Sequence, residues 1–254
     1  MSRSPPDPRP PDAEPVRPNG LLLDTALQLL ERAGHAWPPE AASDPHVWMQ
    51  SLVDGLCTLS SRDPLTGLLN RRQFEAALER EADRAARSGD VAMLLLLDID
   101  HFKRVNDRYG HAAGDEVIRR VAQALQVGVR PMDTVARIGG EEFAAVLPAC
   151  PPAYGHAVAE RVRRAIEALE IDLGLDQRLG VTISIGGSYA PQWVRSSCTL
   201  WLERADRQLY LAKHQGRNRV CLETPPESQV SAEERGLLLS PASDFLPDEP
   251  SSTS

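Results

Sequence analysis

Two short apolar runs with a pair of glycines between them constrain the fold of this chain most. Residues 135–138 and 143–147 each have the length and composition of a β-strand, and Gly139-Gly140 lies between them. A glycine pair in this setting predicts a β-hairpin, because primed turns need positive φ angles that glycine adopts at little cost. The two strands are therefore expected to be antiparallel neighbours, which argues against a doubly wound parallel sheet.

Two adjacent carboxylates, Glu141 and Glu142, follow the glycine pair directly. Like charges repel each other, and the alternation of a strand directs neighbouring side chains to opposite faces. Such a pair occurs at polar hairpin tips, where both glutamates are solvated, and also at functional sites. Short motifs often match by chance, so the pair alone leaves both interpretations open.

A second acidic site is predicted where a buried strand ends. Residues 91–97 form a continuous apolar run, typical of a central strand that is buried on both faces, and Asp98-Ile99-Asp100 follows. Carboxylates at the end of such a strand are costly unless they are solvated, paired or bound to metal. Mg²⁺ and similar hard cations prefer these oxygen ligands.

The polar segment at 101–115 carries groups that suit a guanine nucleotide. Lys103 can reach a phosphate, while Asn106 and Asp115 offer an amide and a carboxylate. The amide can engage guanine O6 or N7, and the carboxylate can accept from N1–H and the exocyclic amine. The alternative is a polar loop in which Asp115 caps the next helix, and a cap and a base contact can coexist.

The remaining periodicities complete an α+β pattern. Helices are predicted over 73–87, 117–127, 153–169 and 200–214, and further strands over 180–189 and 219–222. This order is the split βαββαβ arrangement, a mainly antiparallel sheet with helices on one face or both, plus one more helix and strand. Lys213 and Arg217 are four residues apart and can present two cations on one side, either to the helix dipole or to phosphate.

Residues 21–60 are expected to form a short helical region ahead of the main domain, which is assigned to 61–223. Helical spacing at 22–33, and again at 48–59 after Asp44 and Pro45, predicts two amphipathic helices. Two such helices cannot enclose a pocket of ordinary volume. They are interpreted as a dimer contact, a docking face for a regulatory protein, or a satellite of the main domain.

Both ends of the chain are expected to be disordered, solvated tails. Residues 1–20 contain seven of the 21 prolines, and residues 224–254 contain five more, together with six acidic residues and one arginine. The acidic tail accounts for −5 of the formal net charge of −8, so the rest of the chain is only mildly acidic. No broad basic surface for nucleic acid is implied.

Composition also indicates the compartment. The four cysteines lack metal-type spacing and fit reduced thiols in a cytoplasmic protein. No apolar run approaches the roughly 18 residues of a membrane helix. Residues 1–20 have no apolar segment of the signal-peptide kind. A cytoplasmic protein without a membrane span is expected.

Taken together, these segments resemble the GGDEF family, the diguanylate cyclases. The signature is Gly-Gly-Glu-Glu-Phe at 139–143, the glutamate variant of the family motif. Segments 63–72, 98–115, 182–186 and 205–220 are similar to further blocks of the family and stand in the family order. The resemblance covers about residues 60–222, and five blocks at proper spacing are a strong signal.

The resemblance implies condensation of two GTP molecules into cyclic di-GMP with release of pyrophosphate, by two subunits that face each other as a homodimer. Under it, Asp98, the backbone carbonyl of Ile99 and Glu141 hold Mg²⁺ (or Mn²⁺). Glu142 takes part in metal binding or in activation of the 3′-hydroxyl, and which glutamate removes the proton stays open. The nucleotide contacts implied are Phe102 through its backbone, Lys103, Asn106, Asp115, Lys213 and Arg217.

An inhibitory site is implied as well. Arg130-x-x-Asp133 stands five residues before Gly139, the spacing of the family's product-binding site, and Arg161 matches a second arginine of that site. Arginine pairs with phosphate and guanine, and the aspartate with guanine. Feedback inhibition by cyclic di-GMP is expected.

Three other functions stay open at this point. One is a catalytically inactive GGDEF domain that serves as a cyclic di-GMP or GTP-binding effector, although the acids at 98, 141 and 142 are all present. Another is a polymerase-like palm, which would need a basic surface for its template. The third is a scaffold that acts through the N-terminal helices alone.

Overall fold

The computed structural model describes residues 23–42, 44–174, 177–190 and 197–224. All of these belong to one compact unit, Met1–Thr224. The tail expected at 1–20 and all but the first residue of the tail expected at 224–254 lie outside the described residues, and so do the first two residues of the predicted helical region.

The described residues form seven α-helices, one short 3-10 helix and seven strands. The helices are α1 (Asp24–Arg32), α2 (Pro45–Ser61), α3 (Arg71–Ser88), α4 (Phe102–Tyr109), α5 (His111–Gly128), α6 (Pro152–Glu167) and α7 (Cys198–His214), with the 3-10 turn at Pro39–Ala42. The strands are β1 (Met93–Ile99), β2 (Thr134–Arg137), β3 (Glu142–Leu147), β4 (Ile171–Asp172), β5 (Arg178–Leu179), β6 (Ile183–Tyr189) and β7 (Val220–Leu222).

Five of these strands form one sheet, in the order β2-β3-β1-β6-β7. Strand β1 lies at the centre and pairs antiparallel with β3 and β6, while β2 pairs antiparallel with β3. Only the edge pair β6–β7 is parallel. The predicted α+β class and the mainly antiparallel sheet are confirmed, and the hairpin at 135–147 is present as β2–β3.

Helices cover both faces of this sheet, which the sequence had left open. All seven residues of β1 are buried, and their side chains alternate between two cores. Met93, Leu95 and Leu97 share a core with α5 and α6, whereas Leu94 and Leu96 share one with α3 and α7. The same alternation places Asp98 on the α7 side.

The polar loop given as one interpretation of residues 101–115 is wrong, because residues 102–109 form helix α4. Phe102 and Val105, three residues apart, are its buried side chains, and the polar residues around them hid this short period in the sequence. Gly110, with φ of 83°, separates α4 from α5. Since α5 already begins at His111, Asp115 lies inside that helix and does not cap it.

The N-terminal helices pack against each other within one chain. Leu30 of α1 is buried, and a Cβ built on Gly55 of α2 would lie only 2.7 Å from it. Trp37, in the connection, stacks on Trp48 with ring centroids 5.7 Å apart. Leu52 is buried as well, so α1 and its connection cover this apolar side of α2. No helix in the described ranges is long and apolar enough to cross a membrane.

Candidate active site

The end of β1 and the β2–β3 hairpin meet, as predicted, at one corner of the sheet. In the β1–β3 register, Asp98 stands directly opposite Glu142. The backbone N–H of Ile99 donates to the carbonyl of Glu141 over 3.2 Å. The strand-end acid and both hairpin glutamates are thereby brought to the same place, although Glu141 and Glu142 follow Asp98 by 43 and 44 positions in the sequence.

This acidic corner is electrostatically unfavourable by itself. Burial raises the pKa of Asp98, and the nearby Glu142 and Asp100 add to the effect, while Lys213 opposes it. Burial and the Asp98 charge likewise raise the pKa of Glu141. Both shifts mean that the charged carboxylates lack solvation and that additional positive charge at this corner would stabilise them.

Lys213 is the cation that the structure places at this corner. Its Nζ lies 2.7 Å from Oδ2 of Asp98, whose side chain is only 8 % exposed. The approach depends on close packing of α7 on β6, because a Cβ at Gly186 would collide with the backbone of Leu209 and Ala205. Gly186, inside the strand predicted over 180–189, therefore indicates that a helix packs closely on that strand.

The glycine pair forms the tip of the hairpin, but not through the predicted primed turn. Neither Gly139 nor Gly140 has a positive φ. Four residues connect the strands, so the tight two-residue geometry is not used. Space accounts for glycine at 139 only, where a Cβ would collide with the carboxylate of Glu142. At 140 a Cβ would have nothing within 4 Å, so the structure does not explain glycine there.

One arginine braces this tip, and the sequence interpretation missed it. Arg137 donates from Nε to the Gly139 carbonyl at 3.1 Å and from Nη2 to the Gly140 carbonyl at 2.8 Å. Its Nη1 lies 3.2 and 3.1 Å from the two carboxylate oxygens of Asp63. Asp63 in turn accepts from the backbone and hydroxyl of Thr66. The arginine thus joins the start of the domain to the hairpin tip.

The residues expected to bind the nucleotide flank Gly110. Phe102 is buried, so only its backbone is available at the first turn of α4, and Lys103 beside it is exposed. Asn106 packs on α5, where a Cβ at Gly114 would collide with its Oδ1. Asp115, the next residue, is partly exposed. All four lie on the helices that directly follow the acidic end of β1.

Arg217 lies in a tight turn just beyond α7. Both Arg217 and Asn218 are left-handed, with φ of 61° and 48°. The Arg217 side chain is exposed, and its backbone N–H donates to the carbonyl of Ala212 at 3.0 Å. The carboxylate of Asp100 accepts from the Asn218 N–H at 3.0 Å, which attaches this turn to the end of β1.

The predicted inhibitory residues also come together, on the opposite side of the hairpin strands from the tip. The Asp133 side chain is fully buried, accepts from the Arg130 N–H at 2.8 Å, and keeps Oδ1 without a hydrogen-bond partner. The guanidinium of Arg130 lies 4.1 Å from the ring centroid of Tyr154 on α6. Arg161 donates twice to the carbonyl of Gly128, at 3.2 and 2.7 Å.

The oxygen donors at the acidic corner suit a hard divalent cation. Across the described ranges, no three Asp, Glu, His or Cys side chains already converge as a metal cluster. Mg²⁺ does not require one, because it binds through one or two carboxylates and completes its shell with water and substrate phosphates. Asp98, Glu141 and the Ile99 carbonyl provide such a set, and the raised carboxyl pKa values fit a site that gains from a cation.

Comparison with known proteins identifies the domain. The family model described as "Diguanylate cyclase, GGDEF domain" matches residues 60–219, more than half of the chain. This chain belongs to the GGDEF domain family. Its family-matched region begins near the end of α2 and ends between the Arg217 turn and β7, so it includes the acidic corner, the arginine brace and the predicted inhibitory residues.

Several curated proteins share this GGDEF region. "Uncharacterized protein YhcK" of Bacillus subtilis is 41% identical over 166 residues, which cover 65% of this chain and 46% of that protein. Diguanylate cyclase DgcP of Pseudomonas aeruginosa is 43% identical over 163 residues, covering 62% of this chain and 23% of that protein. The chain therefore spans less than half the length of these relatives.

Solved structures show the same fold. The GGDEF domain of DgcB from Caulobacter crescentus, in complex with c-di-GMP, is 36% identical with a TM-score of 0.61, covering 64% of this chain and 93% of that one. Diguanylate cyclase SiaD from Pseudomonas aeruginosa, in complex with its activator SiaC, is 34% identical with a TM-score of 0.64, covering 79% of this chain and 74% of that one.

Proposed function

We propose that this GGDEF protein is a diguanylate cyclase that condenses two GTP molecules into cyclic di-GMP and pyrophosphate. The observation that carries the proposal is the acidic corner, where Asp98 stands opposite Glu142 and pairs with Lys213 at 2.7 Å. A GGDEF domain that acted only as a receptor would not need these acidic residues. The naming of relatives such as DgcP as diguanylate cyclases supports the same activity.

The chemistry joins two nucleotides through their 3′-oxygens. Each 3′-oxygen forms a bond to the α-phosphorus of the other GTP, the bond from that phosphorus to pyrophosphate breaks, and the 3′-hydroxyl gives up its proton. Two such steps release two pyrophosphates and two protons. Glu142 is an exposed carboxylate beside Asp98, and it is the group we assign either to accept this proton or to support metal binding.

Asp98, Glu141 and the Ile99 carbonyl would hold Mg²⁺ or Mn²⁺, which when bound neutralises the triphosphate and lowers the pKa of the attacking hydroxyl. Lys213 lies in the last turn of α7 and Arg217 in the turn just beyond it, and we assign both cations to the phosphates together with Lys103. The backbone N–H groups at the start of α4, including that of Phe102, favour an anion in the same place.

Asn106 and Asp115 are assigned to guanine. Their amide and carboxylate match the acceptor and donor pattern of the guanine edge, and adenine reverses that pattern. A mismatched polar pair costs about 1–3 kcal/mol for each group left unsatisfied. The wild type should therefore turn over GTP much faster than ATP at equal concentration.

Cyclic di-GMP is proposed to inhibit the enzyme at Arg130, Asp133 and Arg161. Support comes from Asp133, which is buried yet keeps one carboxylate oxygen without a hydrogen-bond partner, and from the adjacent Arg130, whose Nε also lacks a hydrogen bond and lies 3.6 Å from the other Asp133 oxygen. Such groups are costly unless a ligand or water satisfies them. The DgcB domain was solved with c-di-GMP, which agrees with product binding in this family.

Two subunits are proposed to act together, because each GGDEF domain supplies one GTP. We propose that residues 21–60 control this dimerisation or receive a regulatory protein. The exposed fractions of Leu29, Val53 and Leu59 are 50%, 46% and 37%, and these side chains remain uncovered on the helical hairpin. The complex of SiaD with its activator shows that a related cyclase takes a protein partner.

The direct test is to incubate the purified protein with GTP and Mg²⁺ and to identify products by chromatography and mass spectrometry. We expect cyclic di-GMP and two equivalents of pyrophosphate, with little product from ATP. Binding of cyclic di-GMP without any synthesis would instead assign the chain to the receptor class.

A further inference from the structure

Asp100 is a buried charge that has no assigned role in the proposed chemistry. Its side chain is part of a residue only 6% exposed, yet no lysine or arginine of the described ranges forms an ion pair with it. Three neutral groups satisfy it: the hydroxyl of Thr182 donates at 2.6 Å, that of Ser184 at 2.7 Å, and the backbone N–H of Asn218 at 3.0 Å. A buried carboxylate with this many specific donors is held in one orientation.

The Asn218 contact is the one that reaches beyond the sheet. Thr182 and Ser184 flank the start of β6, whereas Asn218 belongs to the turn that follows α7. Aspartate and asparagine here are 118 residues apart in sequence. Asp100 follows Ile99 at the acidic corner, and Asn218 follows Arg217. Their hydrogen bond therefore connects the acidic corner with the turn that carries Arg217.

Helix α6 holds the same turn from the other side. Arg163 donates to Oδ1 of Asn218 at 2.7 Å, and Nδ2 of Asn218 donates to Glu167 at 2.6 Å. The Arg163 side chain is 12% exposed and also pairs with Glu160 at 3.0 Å. Asn218 is thus bound through its backbone by Asp100 and through its side chain by α6.

These bonds to Asn218 are important because the backbone conformation of the turn is energetically unfavourable. Arg217 and Asn218 are consecutive residues other than glycine in the left-handed region, which a side chain with a Cβ disfavours, for arginine more than for asparagine. Such a conformation persists only where its surroundings determine it. The Arg217 N–H and carbonyl are bonded to the Ala212 carbonyl at 3.0 Å and to Nε of Arg219 at 3.2 Å, whereas the bonds from Asp100 and α6 hold the next residue, Asn218.

We infer that Asp100 is a positioning residue for Arg217: through the Asn218 N–H it holds the left-handed turn that presents the Arg217 guanidinium to the phosphates of GTP. The inference rests on the proposed function, which assigns Arg217 to phosphate. It adds a residue that touches neither nucleotide nor metal and acts only through Asn218. The strand end at 98–100 and Arg217, the cation proposed to bind phosphate, are then held together through Asn218.

A double-variant cycle on nucleotide binding tests this directly. The probe is the α,β-methylene analogue of GTP with Mg²⁺, which cannot release pyrophosphate, and its dissociation constant is measured by calorimetry with the full chain. Arg217→Ala should weaken binding about 10- to 100-fold, as expected for loss of a charge-assisted hydrogen bond. Asp100→Ala should weaken it by a similar factor, and the double variant should bind no worse than Arg217→Ala alone.

Two further variants keep the test decisive if Asp100→Ala folds poorly. Asn218→Gly keeps the backbone N–H that donates to Asp100 and favours the left-handed turn, so its dissociation constant should stay close to that of the wild type although both contacts to α6 are lost. A loss as large as that of Arg217→Ala would assign the holding of the turn to α6 and contradict the inference. Ser184→Ala is the matched control, since it removes a hydrogen bond to Asp100 while leaving the bond to Asn218. Its dissociation constant should stay within about twofold of the wild type.

The outcomes separate the inference from the proposed function. If the losses from Asp100→Ala and Arg217→Ala multiply in the double variant, Asp100 does not act through Arg217 and the inference is wrong while the cyclase assignment stands. If the double variant binds the analogue as well as Arg217→Ala does, but the wild type forms no cyclic di-GMP from GTP, the positioning role holds and the proposed cyclase activity is wrong. A wild type that does not bind the analogue overturns both.

Discussion

Arg137 donates from Nη1 to both carboxylate oxygens of Asp63 and from its other two nitrogens to the carbonyls of Gly139 and Gly140. Helix α2 ends at Ser61, two residues before Asp63, and Glu141 follows Gly140 directly. One guanidinium therefore links the end of the N-terminal helices to the tip that carries the proposed metal ligand. A shift of α2 would reach this tip through the Asp63–Arg137 ion pair, whose two side chains are each 16% exposed, and through the backbone bonds of Leu69 to β2.

Removing the brace should lower turnover more than it lowers nucleotide affinity. Arg137→Ala frees the two glycine carbonyls and leaves Asp63 with only its hydrogen bonds from Thr66, at about 1.5–3 kcal/mol for hydrogen bonds to a charged group. We expect kcat to fall about 10- to 100-fold with KM for GTP changed little, in steady-state assays of cyclic di-GMP formation. Arg71→Ala is the control, since Arg71 forms an exposed helix pair with Glu75. Equal kinetic effects of the two substitutions would contradict the brace.

Feedback should depend on Arg130. Arg130→Ala removes the guanidinium that lies over Tyr154 beside the buried Asp133, so added cyclic di-GMP should lose most of its inhibition. The rate at low product should remain near that of the wild type, because Arg130 lies away from the acidic corner. Initial rates against added cyclic di-GMP measure this. An inhibition curve that superimposes on that of the wild type would exclude Arg130 from the site.

Dimer control is best tested at side chains that the fold leaves exposed. The buried Leu52 would report only on the helical hairpin, whereas Val53 and Leu59 are available to a second subunit. Val53→Asp with Leu59→Asp should lower specific activity most at low enzyme concentration, since burying each such side chain contributes roughly 1.5–3 kcal/mol.

A dilution series with sedimentation measures the effect, and Thr58→Asp adds a charge at an exposed polar position of the same helix as control. If the double variant keeps its activity and its association state on dilution, the N-terminal helices do not form the dimer contact.

The charged acidic corner should lower the free energy of unfolding of the domain in the absence of metal. Since burial raises the pKa of Glu141, the ionised glutamate costs stability at pH 7, and protonation relieves this cost first in the folded state. Glu141→Gln should therefore match or exceed the wild type in free energy of unfolding at pH 7 with EDTA. The difference should shrink as the pH falls through the carboxyl range. Denaturant melts at pH 7 and pH 5 check this, and a variant less stable at pH 7 would contradict it.

Local patterns were enough to predict the sheet and the two acidic segments, while their meeting at one corner was implied by the family resemblance. The apolar run before Asp98 and the glycine pair before Glu141 are each visible within ten residues of sequence. Helix α4 was missed because only Phe102 and Val105 mark its buried side. The primed turn was wrong because the loop is longer than the glycine pair and neither glycine needs a positive φ.

Contacts between distant residues could not be predicted in the same way. Asp63 and Arg137 are 74 residues apart, and Asp100 and Asn218 are 118 apart. Each of these residues is ordinary in its local sequence, a polar residue near a turn or at the end of a strand. Only the packing of α7 on β6, and of the hairpin beside the start of α3, brings the partners within hydrogen-bond distance.

The most direct measurement is cyclic di-GMP formation from GTP and Mg²⁺ by Asp98→Asn and Glu141→Gln, each compared with the wild type at equal folded concentration. Each variant removes one negative charge from the proposed cation site while keeping side-chain shape. The account predicts synthesis by the wild type and a loss of at least about a hundredfold in both variants, consistent with removal of one preorganised charge. Turnover like that of the wild type in either folded variant would contradict the assignment of the acidic corner as the catalytic centre.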